Sequence, residues 1–508
     1  MDRLPGASLT PAARRWVLLF CVALVAPVAL LGVGVRAAHA AHAGHAGHAA
    51  RTRTVAVHAG TFTRGFVDDV WFDGTQDGVS TQTWLANTRK TGAKIVQIEV
   101  DWTGIEPNAP APGASFTNPA APQFDFSSLD QRVQEIVSAG LTPVLLVTDA
   151  PQWAEGAGGS AALEATGGYK PNAKAFGALG QALATRYSGR YPNPAEPGRM
   201  LPRVRYIQAW AEANVNIHLS PQWTRIRGRA VNTGALMYRA MLNDFYAGVK
   251  AGDPGAVVLS SGLESYGDAP FTGLQRTHPV TFLENLLCLT PALRRAPCAG
   301  GGAHFDVLAS DPYEAFSPTT PAVSPLDASA PDLGRLTRVV TAALARHTLL
   351  PHRPKPLWVT EFGYESNPPN TLPGTPSMAT QARWLEQSFY IFWHEGVSVT
   401  LWYLMRDQAP PYTINYASGV YFYGGKPKPS FTAYHFPLVV MRQGTAAQAW
   451  GITPVTGLVR VQFRDHGWRT VASFRRRAGA VFDFTSKTLR RGQYRALAGG
   501  QKSLVWTY

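Results

Sequence analysis

The chain has 508 residues, of which 45% are hydrophobic and 16% are charged. This composition supplies enough apolar surface for a folded core and excludes a wholly disordered protein. The sequence has only one long apolar stretch, near the amino terminus, and this excludes a membrane protein with several spans. The length equals about three average domains, although a single barrel domain also runs long.

The formal net charge of +14 is concentrated at the two ends of the sequence. Residues 1–60 carry +5 and residues 436–508 carry +10, so the 375 residues between them sum to −1. A nucleic-acid-binding protein concentrates basic side chains on its working surface. The near-neutral central region therefore argues against nucleic acid as a partner.

Residues 1–50 have the pattern of an export segment followed by a spacer. Arg14 and Arg15 precede an uncharged apolar run over 16–35, and the small-residue sequence Ala38-His-Ala40 follows it. This order predicts a secretory signal peptide, and a run of about 20 residues also fits an uncleaved amino-terminal anchor. The body is then expected outside the cell, secreted or anchored at the outer face of the membrane. The Ala/His-rich stretch fits a flexible spacer or a metal-binding tract.

Two cysteines in the body of the chain predict a local disulfide. Cys288 and Cys298 lie ten residues apart in a stretch rich in proline and glycine, whereas Cys21 lies in the export segment. Cysteines of an exported protein are expected to pair in an oxidising compartment. Their spacing matches no metal site, and no metal or cofactor is expected.

Between residues 51 and 435, apolar strand-like runs alternate with amphipathic helical segments. Strands are predicted near 65–72, 94–102, 142–148, 204–212, 256–262, 304–310, 357–363 and 397–404. Eight strands alternating with helices predict a (β/α)8 TIM barrel of the α/β class. A doubly wound open sheet is the structural alternative, and its dinucleotide-binding form lacks the G-x-G-x-x-G sequence after the first strand.

Residues 436–508 change to short alternating strands, predicted at 458–463, 470–474, 480–484 and 503–508. This pattern predicts a small all-β domain of the sandwich type. The runs Arg475–Arg477 and Arg490–Arg491 make it basic. The charge fits either a solvated face or adhesion to an anionic glycan, wall polymer or membrane surface.

Two glutamates lie at the ends of the fourth and seventh predicted strands, and reactive residues of a barrel lie at the carboxyl ends of its strands. These are Glu212 and Glu361. Because burying a carboxylate is costly, an acid after an apolar strand needs a reason. Retaining glycosidases supply one: the first carboxyl protonates the leaving oxygen, and the second attacks the anomeric carbon. Like charges in a low dielectric raise the pKa of one carboxyl and leave the other ionised.

The segments around these glutamates resemble the motifs of the clan A glycoside hydrolases, the four-seven superfamily of barrels. Trp210-Ala-Glu-Ala-Asn214 is similar to the clan's W-N-E-P-N, and Trp358-Val-Thr-Glu-Phe-Gly363 to its W-x-T-E-x-G. The likeness is greatest to extracellular bacterial enzymes of families 39 and 5, and it covers about residues 65–435. It implies Glu212 as the acid/base and Glu361 as the nucleophile.

The same resemblance implies a set of substrate-binding residues: Trp102, Trp153, Asn214, Trp223, Tyr313 and Trp402. Aromatic rings pack well on the C–H faces of sugars, although each large aromatic equally suits the core. The tyrosine corresponds to one on the sixth strand that contacts the nucleophile in the clan.

Three positions depart from the clan's pattern. Ala211 stands where the clan has an asparagine that binds the substrate 2-hydroxyl, Gln97 where it often has an arginine, and Asp311 where it has a histidine. Hydrogen bonds to the 2-hydroxyl strengthen in the transition state. The departures fit an enzyme for 2-substituted or unusual sugars, or a barrel that has lost turnover.

The sequence therefore predicts an exported retaining glycoside hydrolase that acts on an oligo- or polysaccharide without a cofactor. Two alternatives stay open. One is a weakened or inactive barrel that serves as a carbohydrate-binding or cell-wall-associated protein. The other is a transglycosylase, which uses the same residues but excludes water. Zinc-protease, serine-hydrolase and phosphate-loop motifs do not occur in the sequence.

Overall fold

The computed structural model describes residues 62–68, 80–157, 167–314, 316–413 and 415–508. The predicted export segment, the His-rich spacer and Cys21 lie outside these residues. Within the described ranges, no helix is long and apolar enough to cross a membrane.

Eight parallel strands form a nearly closed barrel, which confirms the predicted (β/α)8 fold. The strands run in the spatial order β5-β4-β3-β2-β1-β8-β7-β6, and an isolated bridge between Leu259 and Val307 links the two outermost strands. Their bounds are β1 (Thr63–Val67), β2 (Ile95–Asp101), β3 (Thr142–Thr148), β4 (Tyr206–Ala209), β5 (Val257–Leu259), β6 (Leu308–Ser310), β7 (Leu357–Val359) and β8 (Val397–Tyr403).

A helix follows each barrel strand and covers the outside of the barrel. Side chains of Ser80, Asn172, Asn232 and Ser377 cap four of them by accepting a backbone N–H of the first turn. The helices are α1 (Thr81–Lys90), α2 (Ser127–Ser138), α3 (Ala173–Arg186), α4 (Thr233–Gly252), α5 (Pro279–Leu286), α6 (Gly334–Ala345), α7 (Met378–His394) and α8 (Pro429–His435). The predicted disulfide between Cys288 and Cys298 is formed, in the loop after α5.

The carboxyl-terminal region is all-β, as predicted, and consists of two antiparallel sheets. One has the order β9-β10-β13, and the other has the order β12-β11-β14-β15 with β16 also paired to β14. The strands are β9 (Leu438–Gln443), β10 (Ala446–Ile452), β11 (Gly457–Arg464), β12 (Trp468–Arg476), β13 (Val481–Ser486), β14 (Gln493–Ala498), β15 (Gln501–Lys502) and β16 (Trp506–Thr507).

The β region packs on the barrel, and residues 61–508 form one compact unit. The guanidinium of Arg383 on α7 lies 3.9 Å from the ring centre of Trp506. On the same helix, the hydroxyl of Tyr390 donates to Gln448 on β10 at 3.1 Å. The division of this unit into domains at residue 436 stays a prediction.

A buried ion pair joins the loops that follow β7 and β8. Lys428 Nζ lies 2.6 Å from Asp407 Oδ1, and both side chains are fully buried. The ammonium also donates to Ser366 Oγ and to the carbonyl oxygen of Ala417, each at 2.9 Å. All three protons of the lysine are therefore satisfied, and they fix two loops at the carboxyl end of the barrel.

Replacing Lys428 with Met is expected to lower the free energy of unfolding by about 3–5 kcal/mol at neutral pH, because Asp407 is left buried without its partner. Burial already raises the pKa of Asp407 to about 6, against about 3.9 in an unfolded chain. Because the variant lacks the lysine charge that lowers this pKa, Asp407 stays protonated to a higher pH in the variant, so the loss grows as pH rises above about 6. Urea unfolding at several pH values measures it. The exposed Lys426→Met is the control, and an equal effect of both variants would contradict the prediction.

Candidate active site

Glu361 lies two residues beyond the carboxyl end of β7 and is 7% exposed. The hydroxyl of Tyr313 donates a hydrogen bond to its Oε1 at 2.6 Å. Burial, followed by the charge of Glu361, raises the pKa of this tyrosine well above its usual value. Tyr313 therefore keeps its proton and holds one carboxylate oxygen in place.

Glu212 lies three residues beyond β4 and is 5% exposed. Its backbone φ is +32°, and that of the nearby Trp210 is +77°, both in the left-handed region that non-glycine residues rarely adopt. The Oε2 atom of Glu212 lies 3.2 Å from Nε2 of His218. Strained backbone clusters at functional sites, so this turn fits a residue that must be aimed.

The strained turn at Glu212 is held by contacts with the loop after β5. The backbone N–H of Ala213 donates to Ser261 Oγ at 2.8 Å. Asn214 is fully buried, and its amide donates to the carbonyl oxygens of Glu264 and Thr277 and accepts from the N–H of Glu264. These bonds offset the strain and fix the direction of the Glu212 side chain.

Asp311 follows β6 directly and connects the surroundings of the two glutamates. Its carboxyl accepts hydrogen bonds from Thr360 Oγ1, at 2.6 Å, and from the backbone N–H of Glu361. Burial, and next the charge of Glu212, raise the pKa of Asp311 well above its usual value. Asp311 therefore binds a proton more readily than an exposed aspartate.

A chain of polar side chains crosses the barrel interior below these carboxyls. Gln97 on β2 donates to Gln208 on β4 at 2.6 Å, and Gln208 Nε2 lies 3.5 Å from Thr360 Oγ1. Gln97 occupies the position at which the sequence departs from the clan's arginine. Its amide is engaged by Gln208, so it contributes to the internal network.

A further carboxyl, Glu264, lies in the loop after β5. Burial raises its pKa to about 8, Arg276 opposes this shift, and the charge of Glu212 adds to it. Arg276 Nη1 lies 3.5 Å from Glu264 Oε1. The carboxyl ends of β4, β5, β6 and β7 thus each contribute one buried acid.

The two candidate catalytic glutamates share one neighbourhood. The charges of both Glu361 and Glu212 raise the pKa of Tyr313. Asp311 likewise contacts the backbone of Glu361 and interacts with the charge of Glu212. The structure thus brings Glu212, Glu361, Tyr313 and Asp311 together at the carboxyl end of the barrel.

The six predicted substrate-binding residues differ in their exposure. Trp102, Trp402 and Asn214 are each 0% exposed, and the two indoles donate to Glu106 and to the carbonyl oxygen of Ser418. These three buried side chains therefore hold loops at the carboxyl end of the barrel in place. The residues that reach solvent in part are Trp153, Trp223 and Tyr313.

The sequence prediction missed two residues of this site, His218 and Glu264. His218 was missed because its contact with Glu212 depends on the fold of the intervening turn, and no sequence spacing predicts this contact. Glu264 carried a usable signal: like Glu212, it follows an apolar barrel strand within a few residues. Within the described residues, no group of three or more His, Cys, Asp or Glu side chains is arranged to hold a metal ion.

The fold and this site together define the class of the protein: it is a (β/α)8 barrel with buried glutamates after its fourth and seventh strands. No protein-family model matches the sequence, and no curated protein matches it. The chain is similar to solved structures of family 39 glycoside hydrolases, and it shares its fold with the first of those described next.

One is the family 39 enzyme of the gut symbiont Bacteroides cellulosilyticus WH2, which is 14% identical over 84% of this chain and 81% of that chain, with a TM-score of 0.50. A second is the family 39 enzyme of Xanthomonas axonopodis pv. citri, 14% identical over 84% of this chain and 91% of that chain, with a TM-score of 0.48. A third is a family 39 β-xylosidase from Caulobacter crescentus, 14% identical over 83% of this chain and 93% of that chain, also at 0.48.

Proposed function

We propose that the protein is a retaining glycoside hydrolase that acts on an oligo- or polysaccharide. The observation that supports it most is the pair of buried glutamates after β4 and β7, each with its own partner: Tyr313 on Glu361 and His218 on Glu212. One fold that holds two carboxyls in different environments has the parts that an acid and a nucleophile require.

In this proposal Glu361 is the nucleophile, because the Tyr313 hydroxyl donates a hydrogen bond to its Oε1 and holds the carboxylate in place. Its carboxylate attacks the anomeric carbon while Glu212 gives a proton to the departing oxygen, so the glycosidic bond breaks and a glycosyl ester forms. Water then attacks the same carbon. Glu212 takes the proton of that water, and Glu361 is released.

A second candidate function is carbohydrate binding without turnover. Ala211 supports it, because a methyl side chain beside the acid/base offers no hydrogen bond to a 2-hydroxyl. A transglycosylase would share every residue of the first proposal and differ in its acceptor. Product analysis distinguishes it, since its products contain a new glycosidic bond.

Hydrolysis of a panel of aryl glycosides, including 2-amino and 2-acetamido sugars, tests the proposed activity. We expect the protein to hydrolyse at least one member, and proton NMR should show that the first product keeps the anomeric configuration of the substrate. An inverted first product would contradict the two-step mechanism. A folded protein that binds oligosaccharides but hydrolyses neither them nor any member of the panel would favour the second candidate.

A further inference from the structure

The outer face of the larger carboxyl-terminal sheet carries a band of arginines. On β11, Val459 and Val461 are fully buried, and side chains of a strand alternate between its two faces. Arg460 and Arg464 therefore lie on the opposite face, and both are exposed.

The strand register places two more arginines on the same face. Arg475 on β12 lies opposite Leu458, and Arg495 on β14 lies opposite Gln462. Leu458 and Gln462 alternate with the buried valines along β11, so they and their partners lie on the same face as Arg460. Diagonal neighbours across strands are about 7–8 Å apart, so the four arginine positions form a continuous band across the three strands. We define the arginine face by the residues Arg460, Arg464, Trp468, Arg475 and Arg495.

Contacts within the arginine face hold its groups in place without neutralising them. The guanidinium of Arg495 lies 4.2 Å from the ring centre of Trp468 and donates to Gln462 Oε1 at 2.8 Å. Arg464 donates to Gln493 Oε1 at 2.9 Å. Stacking and amide contacts orient a planar guanidinium but leave its positive charge uncompensated.

Carboxylates that would balance this charge are scarce in the region. Residues 436–508 contain two acids, Asp465 and Asp483. Asp465 lies 3.2 Å from Arg469 in the turn after β11, and Asp483, on the other sheet, accepts from Gln448. Among the described residues, none of the four arginines of the face forms an ion pair. They repel one another unless an anion from outside the chain lies between them.

We propose that the arginine face is a docking surface for a polysaccharide that carries carboxylate groups, a polyuronate. The guanidinium fork matches a carboxylate with two parallel hydrogen bonds, and an indole packs against the C–H face of a sugar ring. A sheet face with charges in a band suits an extended polymer with a repeated anionic group. The surface lies on the carboxyl-terminal sheet, so the inference goes beyond the hydrolytic function proposed for the barrel.

Binding of the full-length protein to immobilised polygalacturonate tests this inference. We expect binding that weakens with added salt, and a triple variant with Arg460, Arg475 and Arg495 changed to Gln should bind about tenfold or more weakly. The matched control changes Lys487, Arg490 and Arg491 to Gln. These exposed basic residues lie outside the face, and their removal lowers the net charge by the same amount. The control variant should stay within about twofold of the unchanged protein.

Three results would overturn the inference. Equal weakening by both triple variants would mean that net charge alone drives binding. Equal binding to fully methyl-esterified polygalacturonate would exclude recognition of the carboxylate. Tighter binding to single-stranded DNA or to vesicles of anionic phospholipid would show that the face serves a different partner. Thermal unfolding checks that the variants are folded, and the single variants R460Q and R475Q, both at exposed positions, replace the triple variant if it is not.

Discussion

Glu361→Gln is expected to lower kcat/KM for every substrate, whatever its leaving group, by about 10³-fold or more. The amide keeps the size of the side chain and its contact with Tyr313, but it cannot attack the anomeric carbon. Steady-state kinetics on the best aryl glycoside of the panel measures the loss.

A smaller variant gives a stereochemical check on the same residue. Glu361→Ala leaves space for azide, which attacks the anomeric carbon from the side that the carboxylate had occupied. We expect partial recovery of turnover and a glycosyl azide of inverted configuration. A retained azide product, or no loss of activity in either variant, would remove Glu361 from the role of nucleophile.

Glu365→Gln is the matched control for these variants. Glu365 lies in the same segment as Glu361, burial raises its pKa to about 8, and the side chain of Asn370 donates to it. Because it lies outside the proposed reaction, its replacement should leave kcat/KM within about threefold of the unchanged protein. A loss equal to that of Glu361→Gln would show that any buried carboxyl in this loop is needed for the fold.

The barrel was predictable because its sequence signal repeats. Each barrel strand is a short apolar run and each is followed by a helix, so alternation alone selects the fold class. β9 and β10 were missed for a physical reason: Leu438–Val440 and Ala447–Ile452 are buried without interruption, so these segments lack the alternation that marks a half-exposed strand. The strand predicted at 503–508 is shorter in the structure, since it pairs with β14 at residues 506–507 alone.

The candidate site was predictable for those residues that closely follow a barrel strand. Glu212 and Glu361 each follow a barrel strand, and the resemblance to the clan places Tyr313 beside Glu361, where the structure also has it. Burial of the aromatic residues was not predictable, because it depends on the packing around each ring, which leaves Trp402 fully buried and Trp153 in part exposed. The contact of His218 with Glu212 was also not predictable, since it depends on the backbone turn at Trp210 and Glu212.

Glu212→Gln is expected to lower kcat/KM by about 10²–10⁴-fold for substrates with poor leaving groups, because a general acid contributes that much. A dinitrophenolate departs without a proton, so kcat/KM for the dinitrophenyl glycoside should change little. Its kcat should still fall, since hydrolysis of the glycosyl ester needs Glu212 as the base. In Glu212→Ala, which leaves space for azide, azide should restore kcat and give a product of retained configuration, the opposite of the outcome at Glu361.

His218→Ala should reproduce this leaving-group selectivity at a smaller scale. His218 Nε2 lies 3.2 Å from Glu212 Oε2, so its loss frees the carboxyl from the position that the strained turn sets. We expect kcat/KM to fall about 10–100-fold for poor leaving groups, because misplacement of a reacting group is costly. His218→Gln keeps a side-chain N–H donor and should recover part of the loss. A uniform loss across all leaving groups, with no recovery by Gln, would mean that His218 supports the loop and not the acid. Selective loss would instead show that a histidine from the loop after β4 positions the acid of this barrel, in a site where the sixth strand supplies Asp311.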